Sequence, residues 1–227
     1  MNEMNDVSVL IADENHLKYV DEINETIYKA SIARGTGIAR RTHEYVASKI
    51  TEGKAIIALD GEKFAGFCYI ESWGHHKFVA NSGLIVVPEY RSQGLAKRIK
   101  KKAFELSRKR FPDSKIFGLT TGLAVMKINS ELGYKPVTFS ELTDDQEFWK
   151  GCQSCVNYDI LMRTERTKCL CTAMLYDPAW ENKSVENESP AEDKDEKVSS
   201  IKKWFTRRSE SGSESPMKSK FKLFKKQ

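Results

Sequence analysis

The chain has 227 residues, 40% of them apolar and 30% charged, which suits one globular domain of ordinary size with a tail. The net charge of +5 is uneven: residues 181–196 hold seven acids against two bases, residues 197–227 ten bases against two acids. The basic character therefore belongs to the C-terminal end, and the folded part gives no sign of a nucleic-acid surface. The longest apolar runs, such as Leu84 to Val87, fall far short of the ~18 residues of a spanning helix. The opening Met1-Asn2-Glu3-Met4-Asn5-Asp6 is polar and acidic, unlike a secretory signal. The expectation is a soluble, cytoplasmic protein without a transmembrane segment, its five cysteines (Cys68, Cys152, Cys155, Cys169, Cys171) reduced.

Val7 to Ala12 reads as a short strand, and from Asn15 the residues Leu17, Val20, Ile23 and Ile27 recur at helical spacing. That helix runs into a glycine-punctuated basic loop, Ala33 to Arg41. Thr42 caps a second helix, with Tyr45, Val46 and Ile50 on one side and Gly53 as its stop. Strands at Lys54 to Leu59 and Lys63 to Glu71 flank the hairpin signal Asp60-Gly61. After the turn Trp73-Gly74-His75-His76, a third strand runs from Phe78 to Val87 and ends at Pro88. Gly83 inside it marks a bulge or a close backbone approach.

Gly94 to Phe111 is a helix in which Leu95, Ile99, Ala103 and Leu106 share a face and most of the rest is Lys or Arg. A strand with an internal Gly118 covers Lys115 to Thr121, and a helix from Leu123 to Leu132 is capped by Gly133. Val137 to Leu142 extends the sheet. Val156 to Met162 and Cys169 to Leu175 read as a hairpin about Thr164-Glu165-Arg166-Thr167. This alternation implies an α/β fold, a mixed central sheet with helices on both faces. The core pattern stops after Asp177-Pro178. Residues 1–177 are read as the domain, 178–200 as an acidic flexible linker and 201–227 as a basic, disordered tail.

The most informative stretch is Leu84-Ile85-Val86-Val87-Pro88-Glu89-Tyr90-Arg91-Ser92-Gln93-Gly94-Leu95-Ala96-Lys97. A strand runs out, turns and enters a helix at Gly94. The unpaired N–H groups of that first turn and the positive end of the helix dipole make an anion site. Small residues at 94 and 96 let the main chain approach a pyrophosphate closely. A plain strand-to-helix bend is the bland alternative. Without Gly-x4-Gly-Lys-Ser/Thr, a P-loop is disfavoured.

Arg91-x-x-Gly94-x-Ala96, after the strand ending Val86-Val87-Pro88, resembles the acyl-CoA-binding motif of the GNAT superfamily of N-acyltransferases, and the element order is similar over about residues 5–177. The resemblance implies a GNAT fold with splayed strands. It implies that the amides of Ser92, Gln93, Gly94, Leu95, Ala96 and Lys97 hold the coenzyme A diphosphate. Leu84, Ile85 and Val86 would then bond the pantetheine arm and the thioester oxygen, with Gly83 and Gly118 where the sheet could splay. Many relatives place a tyrosine four residues before the Gly-Tyr that ends the fourth helix, as acid for the thiolate. Here that position is Asn129, which cannot usefully give up a proton, so water, Tyr158 or another residue must serve. The asparagine usual near the start of that helix is replaced by Gly122.

For the base, Glu71, His75 and His76 cluster near a strand end, where surface turn histidines are the alternative. Arg34, Arg40 and Arg41 would grip an anionic acceptor, unless they are solvated surface charge. The stretches Ala33 to Arg41, Gly118 to Met126 and Gly151 to Tyr158 resemble a bacterial group associated with arginine biosynthesis and thought to make N-acylglutamate. The resemblance implies transfer of an acetyl or succinyl group, from acetyl-CoA or succinyl-CoA, to the α-amine of glutamate. Two rivals stay open. One is N-acetylation of another acceptor, a polyamine or a protein N-terminus. The other is a non-catalytic acyl-CoA-binding regulator.

Cys152, Cys155, Cys169 and Cys171 invite a structural zinc site. The expected hairpin puts the two pairs roughly 20 Å apart at ~3.3 Å per residue, so no metal is expected. In the tail, Ile201, Trp204 and Phe205 sit amid lysines and arginines, a pattern suited to an anionic surface or a partner if it is not simply solvated.

Overall fold

The computed structural model describes residues 7–34 and 41–181, with only the backbone of Arg34. The acidic linker beyond 181, the basic tail and the loop residues 35–40 lie outside the described residues. The elements are β1 (Ser8–Ile11), α1 (Val20–Arg34), α2 (His43–Thr51), β2 (Ala55–Asp60), β3 (Lys63–Trp73), β4 (Phe78–Val86), α3 (Leu95–Arg110), β5 (Lys115–Thr120), α4 (Leu123–Glu131), β6 (Lys135–Val137), α5 (Gln146–Lys150), α6 (Tyr158–Arg163) and β7 (Thr172–Tyr176).

Seven strands form one mixed sheet in the order β1-β2-β3-β4-β5-β7-β6. Only the β4–β5 neighbours run parallel; the others are antiparallel. Alternation along β2 shows why both faces are covered. Ile56 and Ala58 join a buried cluster with Leu95, Ile99, Ala103 and Leu106 of α3. Ala55, Ile57 and Leu59 join Ile23 and Ile27 of α1 and Val46 and Ile50 of α2. Each fully buried Ile or Leu stabilises by ~1.5–3 kcal/mol, so these two stripes hold the helices on the sheet. A third cluster packs Phe139, Leu142, Trp149 and Leu161 on Phe117 and Leu175.

The local signals are realised at the helix ends. The Thr42 side chain accepts from the Tyr45 amide, and Gly53 and Gly133 close α2 and α4 with φ of 60° and 86°. Two readings need correction. The segment Val156 to Met162 is not a strand: residues from Tyr158 on form α6, with Asn157 at its N-cap position, and there is no 156–175 hairpin. Tyr158 and Leu161 turn inward three residues apart while Val156 and Met162 are exposed, a helical and not an alternating pattern. The strand expected at 137–142 is shorter and earlier, Lys135–Val137, and gives way to a 3-10 turn at Phe139–Glu141 closed by a Thr138–Glu141 capping box.

Candidate active site

The centre of the sheet comes apart in a defined way. β4 and β5 pair only through Phe78↔Lys115, Val79↔Ile116 and Ala80↔Phe117. Beyond Ala80, β4 stays with β3, while Gly118, Leu119 and Thr120 of β5 stay with β7. The facing edges from Asn81 and Gly118 onward thus have no strand partner on that side and form a wedge. A bulge in β4 bends it. Between the pairs Phe67↔Ile85 and Tyr69↔Ser82, β3 has one residue, Cys68, against Gly83 and Leu84 of β4. Gly83 has φ of 68°, and a Cβ there would lie 2.7 Å from the Tyr69 ring, so the bulge requires glycine.

At the open end of the wedge, Pro88–Tyr90 makes one 3-10 turn and the chain enters α3 through Gly94 at φ of 77°. The Lys97 and Arg98 amides bond back to the Gly94 carbonyl at 3.0 and 3.2 Å, leaving Leu95 and Ala96 amides at the helix mouth. Ser92 also has a positive φ, 62°, so the turn is folded tightly. Arg91 does not reach outward; its Nε donates to the Val86 carbonyl at 3.0 Å and ties the turn to the strand end.

The wedge opens into a cleft of about 470 Å³ lined by Ala80 to Leu84 on one side and Phe117 to Thr121 on the other. Of the expected site residues, Glu71, Leu84, Asn129, Tyr158 and Arg41 line it. Ile85 and Val86 are buried beside it. His75 does not reach it: the residue sits exposed in the 74–77 turn with φ of 53°, and is a surface histidine. His76 bonds Ser72 there and stacks on Phe111. Of the three arginines, only Arg41 has a described side chain.

Arg41 is built into the cleft wall. Its Nε donates to the Tyr69 hydroxyl at 2.7 Å and Nη1 to the Gly151 carbonyl at 3.5 Å, with the guanidinium 5.6 Å from the Tyr45 ring centre. Burial, then Tyr69, push the Tyr45 phenol above its ordinary range. Glu71 is caged by Lys49 and by Lys54 at 2.9 Å. Burial alone would raise its pKa, but the hydrogen bonds from both lysines win and hold the carboxyl below the usual range. It is therefore a fixed anion and a poor store for a proton. Sequence reading missed Lys49, 5% exposed, because a lysine on a helix reads as surface.

Orphaned polar atoms point to where a ligand would bind. Among the described residues, five buried side-chain atoms lack a hydrogen-bond partner. Three of them belong to cleft residues: Trp73 Nε1, Asn129 Oδ1 and Asn157 Nδ2. Buried polar groups are nearly always paired, and these three belong to residues that line one cleft. All four cysteines expected far apart also line this cleft, which removes the hairpin argument against zinc. Burial first, then neighbouring thiols, push Cys152 up to about 11 and Cys171 to about 12, so both are neutral thiols. Among the described residues no group of three or more His, Cys, Asp or Glu is arranged to hold a metal.

Residues 20–124 match the model of the Acetyltransferase (GNAT) family. Solved structures share the architecture. N-acetylglutamate synthase from Neisseria gonorrhoeae, complexed with coenzyme A and N-acetyl-glutamate, aligns with a TM-score of 0.54 at 14% identity over 77% of this chain and 36% of that one. Rv2747 from Mycobacterium tuberculosis, in complex with CoA, gives 0.54 at 14% over 75% and 98%. Salmonella typhimurium yncA with acetyl-CoA gives 0.51 at 12% over 83% and 99%. The chain thus spans about a third of the length of the synthase. No curated protein matches the sequence. The fold is the GNAT fold, a seven-stranded mixed sheet with helices on both sides, and the family match covers just under half of the chain. No described helix is long and apolar enough to cross a membrane.

Proposed function

We propose that the protein transfers an acetyl or succinyl group from coenzyme A to the α-amine of a small acidic amino acid, with glutamate the favoured acceptor. The observation that carries this is the wedge between β4 and β5, with the mouth of α3 following the free end of β4 and a half-buried arginine lining the cleft. The amides of Ser92 to Lys97 would take the diphosphate, and the free edge of β4 at Leu84 to Val86 the pantetheine. Asn129 Oδ1 would accept a pantetheine N–H. Arg41, with the unpaired donors of Trp73 and Asn157, would hold the acceptor's carboxylates. Arg34 and Arg40 belong to the same proposed grip. Glu71, its oxygens held by Lys49, Lys54 and the Ser72 amide, would serve as a fixed part of the cleft wall, and the acceptor's ammonium would lose its proton to water. Tyr158 lines the acceptor side. Positioning two bound substrates for attack can supply ~7–11 kcal/mol, so the chemistry does not depend on one strong base.

The neighbours support this reading through their bound coenzyme A, and N-acetylglutamate synthase supports the acceptor class. The test is thiol release from acetyl-CoA and succinyl-CoA against an amino-acid panel. Release with glutamate is expected, and Arg41→Gln should lower kcat/KM for it roughly 10- to 100-fold, the worth of one charge-assisted hydrogen bond. Release only with polyamines or peptide N-termini would overturn the acceptor. Binding of coenzyme A with no release on any acceptor would leave the regulator in its place.

A further inference from the structure

Lys100 is the one charged residue of α3 that is buried. Its position is 2% exposed, yet it lies in the helix row Ala96, Lys100, Ala103, Ser107, beside the apolar stripe. Small neighbours in that row let the side chain run inward. Its Nζ lies 3.7 Å from where a Cβ on Gly118 would stand, at the point where β5 leaves β4, and the residue lines the cleft.

β3 offers the Cys68 thiol, which burial pushes up to about 11 and so keeps neutral. β4 offers Asn81, whose amide is spent on Ser107 Oγ at 2.8 Å and on the Tyr134 hydroxyl at 3.0 Å. After α4 comes the Tyr134 ring, 5.3 Å from Nζ, its phenol raised well above the ordinary range by burial. Further off, the Tyr176 ring of β7 lies tilted against Tyr134, with ring centres 6.2 Å apart. Among the described residues no carboxylate pairs with Lys100. Burial lowers the ammonium to about 8.

An ammonium held in such a place with no carboxylate beside it costs stability, and fits a reaction that makes an anion beside it. Aminolysis of a thioester does so. As the amine nitrogen forms its bond to the carbonyl carbon, the carbon–sulfur bond breaks and the sulfur leaves with the electron pair. On this side of the wedge the α4 residue is Asn129, which holds no transferable proton. We propose that Lys100 protonates the departing coenzyme A thiolate. The ammonium becomes a neutral amine, the thiolate becomes a thiol, and Lys100 regains its proton from solvent once coenzyme A has left. The acid is well matched, since an ordinary thiol titrates near 8.5. This role rests on the acyltransferase reading above.

The test uses the full chain with coenzyme A itself. Bound coenzyme A is titrated by the ultraviolet absorbance of its thiolate, in the unaltered protein and in Lys100→Met and Lys100→Gln. With Lys100 at the sulfur, the bound thiol should titrate below free coenzyme A, and both variants should raise it by about one unit or more. Their kcat should fall about 100-fold with little change in KM for the acyl donor. Thermal midpoints should hold or rise, because a buried charge with no carboxylate partner has been removed; a merely structural lysine would lower them. An unshifted thiol, or a kcat within about threefold of the unaltered protein, overturns the assignment. Failure of the unaltered chain to bind coenzyme A would instead remove the acyltransferase reading itself.

Discussion

Single residues in this site are set by what buries them. Glu71 and Lys49 are both nearly buried, with side-chain exposures of 13% and 6%. Glu71→Gln would leave a buried ammonium short of its partner, a loss of about 3 kcal/mol, read as a drop in the denaturation midpoint at pH 7. The pair also predicts a pH dependence. The folded carboxyl titrates below its unfolded value of about 4.3, so the unfolded state binds the proton first. The stabilisation is complete above that unfolded value and is lost as pH falls through the lower folded one. Midpoints measured from pH 7 to pH 3 should therefore converge for the two proteins at the acid end. Parallel curves would contradict the cage. Gly83 makes a second residue-scale prediction. Alanine there combines a positive φ with a 2.7 Å approach to Tyr69, and should cost about 2–3 kcal/mol. A variant as stable as the original would mean that the bulge tolerates a side chain.

At the scale of elements, what the sequence disclosed was whatever has a local cause. Thr42, Gly53, Gly94 and Gly133 mark helix ends because caps and positive φ are chemistry of a few adjacent residues. Gly83 betrayed the bulge for the same reason. The splay could only be anticipated from Gly83 and Gly118, since strand separation depends on which partners β4 and β5 keep. The segment Val156 to Met162 misled because Ile160, Leu161 and Met162 form an apolar run too short for its period to be read. Tertiary packing of Leu161 beneath Trp149 and Phe139 chose the helix. Lys49 and Lys100 were hidden among surface lysines, because burial of a cation is decided by long-range packing. The cysteines came together for an analogous reason, through the fold of 151–171 rather than through a hairpin.

For the whole molecule, charge and chemistry are segregated. The described residues hold the cleft, while the acidic and basic runs of 182–227 follow it in sequence. Deleting 182–227 should leave turnover intact in the thiol-release assay; a large fall would show that this segment contributes to the site. The central claim is that the mouth of α3 and the wedge between β4 and β5 form one coenzyme A site. Calorimetric titration of the purified chain with coenzyme A tests it most directly. The account predicts saturable binding of one coenzyme A per chain, and no saturable heat at millimolar ligand would contradict it.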